Sequence, residues 1–106
     1  MKLEDLRKIP TLQTSTIAEA IKADPRTGFY ILSCLERFYS GDYGEICEED
    51  TAANNRDLED GTGHILARYK QAESLTGDIY IEASFYEPMF RNIDYTNIMI
   101  MYPHER

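Results

Sequence analysis

The sequence predicts an α+β fold, with N-terminal helices packed on a three-stranded antiparallel β-meander. Two changes of pattern and one count carry this expectation. Apolar residues recur at three- and four-residue spacing in the first half, and from residue 64 the period becomes two. The chain has 106 residues and is 42% hydrophobic, which suits one domain with one modest core.

Residues 1–13 read as a lead-in arm, ending its charged stretch at Pro10. Residues 14–61 form the helical part. "TSTIAEAIKAD" (14–24) is a short helix, with Thr14 or Thr16 as N-cap and Thr16 with Glu19 at capping-box spacing. Residues 24–41 make a second helix, opened by Asp24 as N-cap with Pro25 behind it. Phe29, Leu32, Leu35 (or Glu36) and Phe38/Tyr39 give that helix one buried stripe. Gly41 suits its left-handed end. The two helices are expected to pack as a hairpin. A third helix covers 45–61, acidic in its first turns, where carboxylates meet the positive end of the helix dipole. Asn54 and Asn55 are poor mid-helix residues and mark a place where it could break.

Residues 64–102 form the meander, with strands at 64–70, 78–87 and 93–102. In the middle strand Ile79, Ile81, Ala83 and Phe85 face one way, and Tyr80, Glu82, Ser84 and Tyr86 the other. The connections "QAESLTG" and "PMFRN" are of hairpin length, and Pro88 and Pro103 stop the second and third strands. Such a sheet has two edges, which leaves room for a homodimer by edge pairing.

Charge is the strongest functional signal. The chain carries −8, and residues 42–60 hold eight carboxylates against Arg56 alone, a net −7 of that total. This disfavours direct contact with nucleic acid, whose phosphates would be repelled, and favours a basic protein partner. No apolar run approaches a membrane span. "MKLEDLRKIP" lacks the apolar stretch of a signal peptide, so a cytoplasmic protein is expected. Cys34 reads as a buried small hydrophobe, and Cys47, among carboxylates, as a poor nucleophile. His64 and His104 have no nucleophile motif nearby. No Gly-rich phosphate loop is present, and no cofactor is implied.

"GDYGEICEED" (41–50) opens the acidic block. As a metal site its oxygen ligands would suit magnesium or calcium, but the calcium-loop spacing is missing and no second ligand block completes it. Paired carboxylates could also serve acid–base chemistry, yet nothing in a solvated run separates their roles. We therefore expect no catalytic and no metal residues. The expected partner-binding face is Asp42, Tyr43, Glu45, Glu48, Glu49 and Asp50, extended by Asp57, Glu59 and Asp60. Tyr43 would anchor an Arg or Lys by a cation–π contact. Two alternatives stand beside it: a fold element in which Tyr43 packs into the core and the acids serve solubility, and a metal-dependent hydrolase.

The run "GDYGEICEEDTAANNRDLEDGTGHILARYK" resembles a family of small proteins carried by bacterial plasmids, phages and other mobile elements. The pattern is a G-D-W/Y-G-D/E turn, an E-E-D, an A-N pair, a D-G and a strand ending in tyrosine. Gly41, Asp42, Tyr43, Gly44, Glu45, Glu48, Glu49, Asp50, Ala53, Asn54, Asp60, Gly61 and Tyr69 match it. The likeness covers about the central third of the chain. Tyr43 stands where tryptophan is more usual, and the second hairpin is longer. The resemblance brings no catalytic residues. It implies a setting, an accessory gene on a mobile element. An acidic protein in that setting suits an inhibitor of host defence of the anti-CRISPR kind, engaging the basic groove of a CRISPR or other defence nuclease component.

Overall fold

Alternating burial in residues 79–85 fixes the centre of a sheet, because Ile79, Ile81, Ala83 and Phe85 are buried while Tyr80, Glu82 and Ser84 are half-buried on the other face. The computed structural model describes residues 1–70, 77–85 and 97–106. A 3-10 helix, Leu3–Lys8, leads into β1 (Thr11–Gln13), α1 (Ser15–Ala23), α2 (Pro25–Tyr39), α3 (Glu48–Asp60), β2 (Gly63–Tyr69), β3 (Ile79–Phe85) and β4 (Asn97–Met101). A second 3-10 turn, Pro103–Glu105, follows.

The sheet order is β1-β4-β3-β2. The antiparallel run β2-β3-β4 follows the expected meander, with Ala67 opposite Ile81 and Ile81 opposite Ile100. The expectation of three strands is corrected by β1, which lies parallel to β4 and makes the sheet four-stranded and mixed. The arm is thus no loose lead-in. The Pro10 carbonyl accepts from Ile98 N–H at 2.9 Å, Thr14 N–H donates to the Ile100 carbonyl at 3.1 Å, and Leu6 is fully buried. Three residues between Pro10 and the Thr14 cap are too few to display a period. Tyr86, Pro88, most of the two connections and the ends of the expected second and third strands lie outside the described residues.

Asp24 ends α1 and also caps α2, accepting from Arg26 N–H at 3.0 Å. The two helices therefore turn on one residue. Thr14, not Thr16, caps α1, accepting from Ile17 N–H. The stripe expected on α2 is corrected in part, since Leu35 and Phe38 are buried as expected but Phe29 and Leu32 are not. The buried residues are Thr27, Ile31, Cys34, Leu35 and Phe38, while Phe29 is 73% and Leu32 58% exposed. Both rows have helical spacing and both are apolar, so periodicity alone could not choose the face. The buried row joins Ile17, Ile65, Ile81, Ile98 and Ile100 in one core.

Residue 45 does not begin α3, because Gly44 takes a φ of +72° and the chain there is extended against β2. The helix starts at Glu48 and runs unbroken through Asn54 and Asn55 to the left-handed Gly61. It lies along β2. At the far end of the chain Glu105 accepts from the Thr14 and Thr16 hydroxyls and from Tyr102 N–H, at 3.0, 2.8 and 2.9 Å. This ties the last turn to the start of α1. No helix of the described residues is long and apolar enough to cross a membrane.

Candidate functional site

The acidic segment divides into groups with different tasks. One closes the outer edge of β2. In an edge strand alternate residues turn N–H and C=O groups away from the sheet, where they invite foreign strands. Here His64, Leu66 and Arg68 are those residues, and each meets a partner from the 42–60 segment. Asp57 Oδ2 accepts from His64 N–H at 3.3 Å. Asn54 accepts from Leu66 N–H at 3.1 Å and donates Nδ2–H to the Leu66 carbonyl at 2.9 Å. Arg68 N–H donates to the Tyr43 carbonyl at 3.1 Å, and Glu45 N–H to the Arg68 carbonyl at 2.7 Å. Gly44 lets the chain come this close: a Cβ there would strike the Arg68 carbonyl. Gly63 does the same for Asp57, since a Cβ would stand 2.6 Å from Asp57 Oδ2.

Asp42 belongs to this closure. Its carboxylate accepts from Arg37 Nε–H at 2.7 Å and from Gly44 N–H at 3.1 Å. The Arg37 guanidinium, then the Gly44 amide, hold the acid below its ordinary range. Its carbonyl accepts from the Tyr69 hydroxyl at 2.8 Å. Tyr69 is buried, and burial pushes its phenol up. Arg37 lies over the Tyr69 ring, 4.9 Å from the centroid.

Tyr43 is removed from the expected binding face. It is 3% exposed and packs edge-on against Phe38, with ring centroids 5.9 Å apart. Its hydroxyl is buried without a hydrogen-bond partner among the described residues. A ring in the core cannot meet a partner's cation.

The remaining acids are exposed: Glu45, Glu48, Glu49, Asp50, Glu59 and Asp60. At 100° per residue, Glu48, Glu49, Glu59 and Asp60 fall on the side of α3 opposite the buried Asn54 and Leu58. Arg56 lies between the two pairs. Asp50 falls on the inner flank. It lines a polar cleft of about 380 Å³ between α3 and β2, with Asn54, Asp57, His64 and Arg106 among its walls. The Arg106 guanidinium is paired with Glu82 at 2.9 Å. Among the described residues no three His, Cys, Asp or Glu side chains come together to hold a metal ion. Of the acids that the hydrolase alternative would use, Asp42 is held by Arg37.

The residues that matter most to this region, Asn54 and Asp57 as edge caps, were not expected. The signal for Asn54 was its unsuitability in mid-helix, because a side chain that competes with the backbone there needs another partner. No family model, curated protein or solved structure matches the chain.

Proposed function

We propose that this chain is a non-enzymatic cytoplasmic protein-binding module whose outer α3 face, Glu48, Glu49, Glu59 and Asp60, engages a basic surface on a nucleic-acid-handling protein. The observation that carries the reading is the placement of Glu59 and Asp60. They occupy the last turn of α3, where no basic residue accompanies them and where the helix dipole opposes negative charge by roughly 0.3–1 kcal/mol each. The dipole does not call for them at this end, and with Glu48 and Glu49 they give the outer side of α3 four carboxylates around the single cation Arg56. A row of carboxylates of this kind replaces phosphates in a groove lined by Lys and Arg. We extend the proposal to a defence nuclease as the owner of that groove, with the module as its inhibitor, on the motif resemblance read from the sequence.

The test uses the purified protein as bait in bacterial lysate at low and high salt. Capture of a basic nucleic-acid-binding protein, released at high salt and lost with Glu59→Lys/Asp60→Lys, supports the reading. The double variant should melt at or above the wild-type temperature, because it also relieves the dipole conflict. Capture that survives the reversal sinks the assignment of this face. The fold-element alternative has its own observation, the closure of β2. It accounts for Asp42, Tyr43, Asn54 and Asp57 by structure and leaves the outer four acids to solubility, so it expects the Glu59→Lys/Asp60→Lys variant to change no binding.

A further inference from the structure

The two sheet edges are treated differently. While β2 is capped residue by residue, β1 has Thr11, Leu12 and Gln13 all exposed. Its bonds to β4 run from the Pro10 carbonyl and the Thr14 N–H, in a parallel register of Thr11 with Ile98 and Gln13 with Ile100. That register turns the backbone groups of Leu12 inward and those of Thr11 and Gln13 outward. Beside this edge, which no strand of the described residues covers, lies a groove of about 430 Å³, lined by Thr11, Gln13, Ile21, Phe29, Leu32 and Ile100 among others, none of them ionisable. Leu12 on the opposite face is 49% exposed. Three of the four large exposed hydrophobic residues of the described chain, Leu12, Phe29 and Leu32, therefore flank one strand.

We infer that β1 and this groove form a two-fold interface between two copies of the chain. The fit is self-complementary. With the axis at Leu12, an antiparallel pairing sets Thr11 against Gln13 of the second copy and Gln13 against its Thr11. Every outward N–H and C=O of the strand is then bonded. Leu12 stacks on its own copy across a non-hydrogen-bonded position, where Cα atoms stand about 4.5 Å apart. Phe29 and Leu32 of the two copies meet on the helix face, and the sheet becomes continuous across the pair.

Charge permits a second copy at this edge and opposes one at the β2 edge, since like charges meet across a two-fold contact. Residues 1–41 carry six Lys/Arg against five Asp/Glu, a net +1, while the −7 segment lies along β2. Three strand spacings separate the two edges, about 14 Å, which exceeds the screening length of about 8 Å at physiological salt. Area sets the strength. The three side chains expose roughly 300 Å² per copy, scaled from the 150–250 Å² of an aromatic residue. At about 60% apolar content this implies an interface near 1,000 Å² in total, the lower bound for a specific contact. A reversible dimer follows, not an obligate one.

Sedimentation equilibrium over the micromolar range tests this, at low and high salt. The expected result is a concentration-dependent dimer that high salt does not weaken. Phe29→Asp and Gln13→Pro should each raise the dissociation constant roughly tenfold or more with thermal melts unchanged. Phe29 is on the surface, and Gln13 N–H is not used by β4. A monomer throughout the range, or a dimer indifferent to both variants, overturns the inference. So does a monomer whose Thr11–Gln13 amide signals shift on adding a synthetic extended Leu/Phe peptide, which would make the edge a site for a foreign strand. The salt response separates this interface from the acidic face, so either can fail alone.

Discussion

Replacing Asn54 with alanine isolates the edge closure. The Asn54 amide makes two hydrogen bonds, 3.1 Å from Leu66 N–H and 2.9 Å to the Leu66 carbonyl, and the residue is 5% exposed. Each bond contributes about 1 kcal/mol net, and alanine returns up to about 0.5 kcal/mol in helix propensity. The expected loss is about 1.5–2 kcal/mol, or a melting temperature lower by roughly 6–15 °C for a domain near this size. Asn54→Asp should be worse at neutral pH, because it keeps the acceptor and sets a carboxylate oxygen against the Leu66 carbonyl. Its deficit should shrink in acid as that oxygen regains a proton to donate. Thermal melts give the magnitude, and hydrogen exchange at the Leu66 amide gives the location. An alanine variant that melts like the wild type, with Leu66 exchanging at an unchanged rate, would show that the closure does not hold the edge.

Tyr43→Ala should cost about 3–5 kcal/mol, as loss of a core aromatic does. Tyr43→Phe should be neutral or more stable by up to about 1 kcal/mol, since it removes a buried hydroxyl with no partner among the described residues. A Phe variant that loses both stability and salt-sensitive capture would contradict the buried placement. Asp42 and Glu105 predict the acid limb. Asp42 is held low by Arg37 and then by Gly44 N–H. For Glu105, burial pushes upward, but Tyr102 N–H and the Thr16 and Thr14 hydroxyls together outweigh it. Both folded values lie below the unfolded ones, so their stabilisation is complete above the unfolded carboxylate range of about 4 and is lost as pH falls through the folded values. Asp42→Asn and Glu105→Gln should each flatten the fall of urea midpoints below about pH 4, and unchanged slopes would refute the assignment.

Legibility in the sequence followed the strength of local pattern. The strict alternation at Ile79–Phe85 placed the central strand and its buried face, and the Asp24-Pro25 pair placed the start of α2. The choice between two apolar rows on α2 was not local. It depends on α1 and the sheet covering Ile31, Cys34 and Phe38 and leaving Phe29 and Leu32 outside. β1 was hidden for a related reason, because its partner strand lies 87 positions along the chain at Thr11–Ile98. In the acidic segment the sequence revealed the charge but not the division of labour. Asp42 and Asp57 look like Glu48 and Glu59 until Arg37 and the His64 amide are brought beside them.

That division argues that fold and recognition can be separated within one stretch of chain. Gly44 and Asn54 act on backbone groups of β2, and Asp42 acts through Arg37, the Gly44 amide and the Tyr69 hydroxyl, so their chemistry is dictated by the fold and no partner is needed. Among the described residues the side chains of the outer acids make no hydrogen bond or ion pair, and two of them oppose the dipole of the helix that carries them. Closing β2 also gives α3 a fixed seat, because the same Asn54 that caps Leu66 pins the middle of the helix against the sheet. The outer carboxylates are thereby held in a row on a rigid element, which lowers the ordering entropy that binding must overcome. The edge cap thus supplies the preorganisation that the proposed acidic face depends on, and weakening it at Asn54 should weaken capture even with all four outer acids in place.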